Sequence, residues 1–321
     1  MDRRLKNIMM IVIVSFLFTA ILVLVVMNEY QEKKQADHIK MLEQEAKVYE
    51  KEIIEIKTEL SRMESDLEKI DDVCQVSFCF QVQEESDIEW IEENFSNYSW
   101  PITIVIHVDE ENKENIVQKI SESELEMELM FSGMSDYEEN RDVVQELKEL
   151  AKQYGVKLAS MWFFENGEYT EENVRLLKHD GRKGFTQLTN YSIYIGSGVT
   201  KDGMFYVEHV PVKEGENKVH ESIDLAVKQK KSLILSFDVP ELKETKDYET
   251  ILKNVIEEVN AYHNDDKIIL GLTENYFYLN ELKELTLQEK QEAYKKYEEK
   301  QKKKIEELEN KVGEIYKDWK I

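Results

Sequence analysis

The side chains best suited to chemistry are two histidines and the carboxylates near them. His107-Val-Asp109 puts an imidazole and a carboxylate two residues apart, on one side of a strand if the strand continues that far. His209 and Asp238 fall near the ends of two later strand-like runs. Imidazole and carboxylate are ligand types for a divalent metal of the zinc class. A site built from His107, Asp109 and His209 is therefore one reading, and ordinary rim residues are the other. A second group is aromatic. Trp162, Phe163, Phe164 and Tyr169 either line a sugar-binding groove, because sugars stack on aromatic faces, or pack a core. Cys74 and Cys79 are five residues apart on one predicted strand, so they point to opposite faces and are not placed to bond each other.

The elements that must position these residues alternate in type. Val76–Phe80, Ile102–His107, Glu126–Phe131, Lys157–Phe164, Met204–His209 and Leu233–Phe237 read as strands. Ser86–Phe95, Lys113–Ser121, Tyr137–Tyr154, Thr170–His179, Lys218–Gln229 and Lys246–Tyr262 read as helices. Gly155 after Tyr154 reads as a helix end followed by a strand. Such alternation predicts an α/β domain with a mostly parallel sheet, open or closed into a barrel. The domain is expected over residues 73–282. Only three prolines and eleven glycines occur among 321 residues, which argues against long flexible linkers.

The flanks differ from this domain. Ile8–Met27 is an uncharged run of twenty residues, enough for a helix of about 30 Å, the thickness of a bilayer core. Arg3, Arg4 and Lys6 precede it, so residues 1–7 are expected to be a cytoplasmic arm, 8–27 a single transmembrane helix and the rest extracytoplasmic. Val26-Met27-Asn28-Glu29-Tyr30 lacks a small-x-small cleavage pattern, which favours an uncleaved anchor over a signal peptide. Residues 28–72 are expected to form a coiled-coil stalk. Ile39, Ala46, Ile53, Leu60 and Leu67 take one core position, and Leu42, Tyr49, Ile56, Met63 and Ile70 the other. The stalk would span roughly 50–60 Å. Residues 283–321 read as a second charged helix, with Tyr294, Tyr297, Ile305, Leu308, Val312, Ile315 and Trp319 as its apolar positions. Either the first coil pairs with its copy in a homodimer, or the second helix runs back antiparallel along it. The net charge of −25 becomes −27 beyond residue 27, from 39 basic and 66 acidic residues. That charge argues against nucleic acid and anionic head groups as partners and tolerates cationic ones, including amino sugars.

The order of segments from Val76 to Leu282 resembles the polysaccharide deacetylase (NodB-like) family, metal-dependent enzymes on a distorted (β/α) barrel that remove acetyl groups from surface glycans. The family's Thr-Phe-Asp-Asp strand matches Val76-Ser77-Phe78-Cys79-Phe80-Gln81-Val82. Gln81 then takes the place of the general base and Val82 that of the metal-binding Asp. Pro101-Ile-Thr-Ile-Val-Ile-His107 is similar to the family's next strand. Glu128-Leu-Met-Phe-Ser-Gly-Met-Ser-Asp136 matches its paired histidines, whose positions carry Ser132 and Asp136. Glu146–Gly155 resembles the helix that follows. Met161–Tyr169 resembles the Arg-x-Pro-Tyr-Gly turn, with Phe163 for the Arg and Glu165 for the Pro. Ser232–Asp238 takes the place of Leu-Leu-His-Asp, with Phe237 for the catalytic acid.

The resemblance implies a divergent member whose chemistry is lost. Deacetylation by this route needs a metal to polarise the carbonyl and activate water. Val82 cannot ligate, Ser132 ligates poorly and Asp136 alone is competent. Gln81 cannot accept a proton and Phe237 cannot donate one. The expectation is a bacterial cell-membrane protein that binds surface polysaccharide or envelope proteins and uses no cofactor. The alternatives are a divergent active deacetylase with a divalent metal, and a coiled-coil envelope scaffold.

Overall fold

The structure, a computed structural model, describes residues 33–36, 38–64, 67, 69–98, 100–133, 137–165, 170–188, 197–201, 203–212, 217–273 and 285–318. Ile8–Met27, Asp136, Tyr169 and Trp319 lie outside the described residues. Among the described residues no helix is long and apolar enough to cross a membrane. The chain divides into two compact units, one of residues 55–301 and one of 1–54 with 302–321.

The larger unit is a closed parallel barrel. Its strands are β1 (Cys74–Val82), β2 (Ile102–His107), β3 (Met127–Gly133), β4 (Lys157–Phe164), β5 (Gly184–Leu188), β7 (Phe205–Pro211) and β8 (Leu233–Asp238). They pair in that order, and β1 then pairs with both β8 and β2, which closes the ring of seven. A short β6 (Ser197–Val199) joins β7 antiparallel, and β9 (Ile268–Leu270) pairs with the start of β1. Helices α2 (Glu85–Phe95), α3 (Lys113–Glu122), α4 (Arg141–Tyr154), α5 (Glu171–His179), α6 (Asn217–Gln229), α7 (Val239–Glu244) and α8 (Tyr248–Asn264) connect the strands.

Alternation along each strand sorts side chains into two cores. Cys79, Val105, Met130, Ala159, Met161, Phe163, Phe205, Val207 and Ile234 fill the barrel interior. Their neighbours Phe78, Phe80, Ile104, Phe131, Trp162, Leu235 and Phe237 face outward, beneath the helices. Cys74 and Cys79 are both unbridged, and they fall in different cores, as their spacing requires. The helices present one apolar stripe each. In α4 the buried residues are Val144, Leu147 and Ala151, at helical spacing. Gly155 ends α4 at φ 67°, a left-handed conformation suited to glycine, and its N–H reaches the carbonyls of Ala151 and Lys152. Gly133, at the end of β3, leaves room for Trp162; a Cβ there would lie 2.8 Å from the indole.

The N-terminal end of the barrel is sealed by polar groups that are matched to one another. Thr103 Oγ1, Thr273 N–H and Thr273 Oγ1 all donate to Glu128 Oε1, at 2.8, 2.6 and 2.5 Å. Gln75 Nε2 donates to the Leu272 carbonyl at 2.9 Å, and Ser77 Oγ to that of Gly271. The segment after β9 thus supplies partners for Gln75 Nε2, Ser77 Oγ and Glu128 Oε1. The end of helix α1 (residues 38–64) meets the same face. Its Glu59 pairs with Lys157 at 3.2 Å and its Arg62 with Glu126 at 2.6 Å. Burial works against the charge on Lys157, but Glu59 and Glu128 outweigh it and hold the lysine above its usual pKa.

In this unit the first part of helix α9 (Leu287–Asp318) lies antiparallel to α1. Tyr297 Oη donates to Glu59 at 2.8 Å, Tyr294 Oη to the Leu60 carbonyl at 3.0 Å, and Lys290 pairs with Asp71. The smaller unit contains the same sense of pairing. There Lys304 pairs with Glu52 at 2.6 Å, Lys311 lies over the Tyr49 ring, and Tyr316 donates to Glu50 at 2.8 Å. Ala46, Ile53, Ile305, Leu308 and Ile315 are its buried residues.

Candidate functional site

The C-terminal ends of the barrel strands form its mouth, the end at which sites of parallel barrels are built. β2 delivers His107, β3 delivers Ser132, and Glu165 follows directly on β4. Ser132 shares the inward face with Met130, and Glu165 with Phe163. The Ser132 hydroxyl donates to Glu165 Oε1 at 2.6 Å. His107 Nε2 stands 3.8 Å from that same oxygen, beyond hydrogen-bond range. The Asp109 N–H donates to His107 Nδ1 at 3.2 Å, so in the neutral ring the proton sits on Nε2 and faces Glu165. His107 and Glu165 are half-buried, Ser132 is buried and Asp109 is largely exposed.

Gln81 also belongs to the inward face, since Cys79 is interior and Phe80 and Val82 are not. It pairs in register with Asp238 on β8. The Asp238 carboxylate is occupied in capping α7, accepting from the Glu241 N–H at 3.0 Å. Phe163 forms the floor of the mouth, fully buried and stacked on His209 with ring centres 4.3 Å apart. His209 Nδ1 lies 3.1 Å from Thr186 Oγ1. Burial pushes its pKa down to about 3, so the imidazole is neutral at ordinary pH. Inside the barrel, burial first and then the charge of Glu128 push the Cys79 thiol far up.

The positions singled out in the sequence are only partly brought together. Gln81 and Ser132 face inward at strand ends. Val82 and Phe237 face outward into the core beneath the helices, where Phe237 stacks on Phe80 at 4.7 Å and on Phe78 at 5.8 Å. The expected place of Phe237 in the mouth is therefore corrected: the inward residues of β8 are Ile234, Ser236 and Asp238. Trp162 and Phe164 are likewise corrected as groove residues. Both are fully buried in the outer core, Trp162 edge-on to Tyr137 and Phe164 edge-on to Phe185. His209 is buried and stacked away from solvent, apart from the half-open His107 and Asp109. Glu165 is the residue that sequence reasoning passed over. Its signal was a carboxylate directly after Met161–Phe164, the apolar end of β4.

Among the solved structures this chain resembles is a protein from Mycobacterium smegmatis with the provisional name polysaccharide deacetylase. The two share 14% identity and a TM-score of 0.50, over 67% of this chain and 93% of that one. The Xyl-CE4 domain of a multidomain xylanase from the hindgut metagenome of Trinervitermes trinervoides also aligns, with 15% identity and a TM-score of 0.33 over 61% and 87% of the chains. The YdjI aldolase of Escherichia coli K12 aligns with 10% identity and a TM-score of 0.32 over 63% and 95%. At these scores the last two carry no argument. No family profile matches the chain, and no curated protein matches its sequence. The fold is thus a polysaccharide-deacetylase-like seven-stranded parallel barrel.

The family resemblance implies a divalent metal in the mouth, and among the described residues the donors there do not fit one, Asp136 lying outside them. Val82 offers only hydrocarbon and points away from the mouth. The Ser132 hydroxyl is already committed to Glu165. Asp238 is committed to its helix cap. Among the described residues no three His, Cys, Asp or Glu side chains converge as a metal would require.

Proposed function

We propose that this protein is a catalytically inactive, deacetylase-like binding protein of the bacterial cell envelope, anchored by Ile8–Met27 and carrying its barrel outside the membrane. Its partners are surface polysaccharide or envelope proteins. The observation that carries the reading is the Ser132–Glu165 hydrogen bond above the Phe163–His209 stack. At the positions where the resemblance expects a metal ligand and an arginine, the chain has a hydroxyl engaged with a carboxylate and a packed phenyl ring. Gln81, on the inward face at the end of β1, cannot take a proton from water. What remains at the mouth is a set of hydrogen-bonding groups suited to holding hydroxyls, namely Gln81, His107, Asp109 and Glu165.

The test uses the full chain in detergent micelles, supplied in turn with zinc, cobalt and nickel and with acetylated chito-oligosaccharides. Acetate release is expected to stay at the buffer level while the chain is retained on immobilised envelope polysaccharide. One metal per chain together with acetate release would establish an active deacetylase instead.

A further inference from the structure

In the helical layer, between α4 and the end of α5, three cations gather around one carboxylate. Arg141 holds that carboxylate. Its Nε donates to Asp180 Oδ2 at 2.8 Å and its Nη2 to Oδ1, the two-pronged pairing that guanidinium and carboxylate favour. His179 Nδ1 stands 3.1 Å from the same Asp180. The other two cations have no acid of their own. Arg182 is only 7% exposed. Its Nη1 donates to the Ala159 carbonyl at 3.0 Å and its guanidinium lies over the Phe131 ring, but Nε and Nη2 meet no acceptor. These are the same two nitrogens with which Arg141 grips Asp180. Lys148, two turns along α4 from Arg141, is half-buried and takes part in no hydrogen bond or ion pair among the described residues. Burial first and then the charge of Arg182 depress its pKa, so two cations face each other. The buried Tyr137 hydroxyl completes the group. Arg182 and Asp180 are close enough to act on its pKa, yet it stands in hydrogen-bond geometry with neither.

Buried donors are ordinarily matched, and like charges drawn together away from water repel. An anion remedies both defects at once. We infer that Lys148, Arg182 and Tyr137 form a binding site for one phosphate group, as the free ion or a monoester. A carboxylate offers two oxygens, enough for the Nε–Nη2 edge of Arg182 alone. Phosphate offers two for that edge and others for the Lys148 ammonium and the Tyr137 hydroxyl. The ion reaches Arg182 by pushing the Lys148 side chain outward, which no hydrogen bond or ion pair among the described residues opposes. In a chain of net charge −25, with 67 acidic residues against 42 basic ones, two neighbouring cations without a carboxylate are not what composition alone would produce. The site lies outside the barrel mouth and is independent of what the mouth binds.

Thermal unfolding of the full chain in detergent, with inorganic phosphate or with chloride at matched ionic strength, tests this. Phosphate is expected to raise the unfolding midpoint in a saturable way, and chloride to leave it in place. Lys148→Gln, and Arg182→Lys, which keeps the charge but not the fork, are each expected to weaken phosphate about tenfold, read from the concentration that half-saturates the rise. Without phosphate, Lys148→Gln is expected to be at least as stable as the parent, because a repulsion is removed. With phosphate the order reverses. Glycerol 3-phosphate separates the two sources of the group: a rise like that from phosphate means that the monoester is held, and a rise from inorganic phosphate alone means that the free ion is the ligand. A midpoint that responds to phosphate no more than to chloride overturns the inference, as does a response that Lys148→Gln leaves intact. A loss of stability in Lys148→Gln without phosphate overturns it too, since the ammonium would then be stabilised within the chain itself.

Discussion

The two ends of the barrel treat buried polarity in opposite ways. At the N-terminal end, Gln75, Ser77, Thr103 and Glu128 are buried; chain from Gly271 to Thr273 meets Gln75, Ser77 and Glu128 with backbone and hydroxyl groups, and Thr103 also donates to Glu128. At the C-terminal end, Asp109 is largely exposed and His107 and Glu165 are half-buried, stopping short of a hydrogen bond with each other. One end spends its polar groups on holding the ring together. The other leaves them partly exposed. In a parallel barrel, polar residues at the bottom speak of stability and those at the top of binding.

The contrast can be broken by substitution. Phe163→Ala, which empties the floor between the two ends, should cost about 3–5 kcal/mol in urea unfolding, since a fully buried phenyl is lost and the site cannot collapse around it. Glu128→Ala should cost about 3 kcal/mol, because three donors lose one acceptor in a sealed site. An unchanged urea midpoint there would mean that the seal at the lower end does not hold the ring. Acid should reveal His209. The unfolded chain takes up its proton near pH 6.5, whereas the buried imidazole resists until about 3, so falling pH favours the unfolded state across that window. Between pH 7.5 and 5.5 the loss from this residue should reach about 1.4 kcal/mol, and His209→Gln should remove that share of the slope. Smallest of all, Ser132→Ala and Glu165→Gln should change stability by less than about 1 kcal/mol. If either mouth variant unfolds the chain as readily as Glu128→Ala does, the two ends are not different in kind.

Much of the barrel was legible because strands and helices have different periods. β2 and β4 match the sequence reading at both ends, and the helix ending at Tyr154 closes on a left-handed glycine as expected. β5, β6 and β9 were not seen. They are five, three and three residues long, too short for a period to declare itself, and β5 includes Gly184. The short helix α7, opened by Val239-Pro240, was missed for the same reason. The candidate site was less legible. The resemblance placed Gln81 and Ser132, and the strand reading placed His107, near strand ends, but neither could say which face each residue takes. One position of slip exchanges Ser236 for Phe237, and with it the mouth for the outer core. Of the two readings of the aromatic run Trp162–Phe164, packing is the one that holds, because alternation sends two of its rings outward under the helices and one inward as a floor.

The seam of the ring also sets a timetable for synthesis. Val76 on the first strand pairs with Leu233 on the eighth, so the ring cannot shut until the stretch between them has left the ribosome. At about 5–20 residues per second that interval is roughly 8–30 s. Throughout it β1 has β2 on one side and an unfilled hydrogen-bonding edge on the other, buried at last by a strand that arrives late. A chain made for export would be carried across the membrane during this same interval, so the step that turns a ribbon of strands into a ring would be completed on the far side.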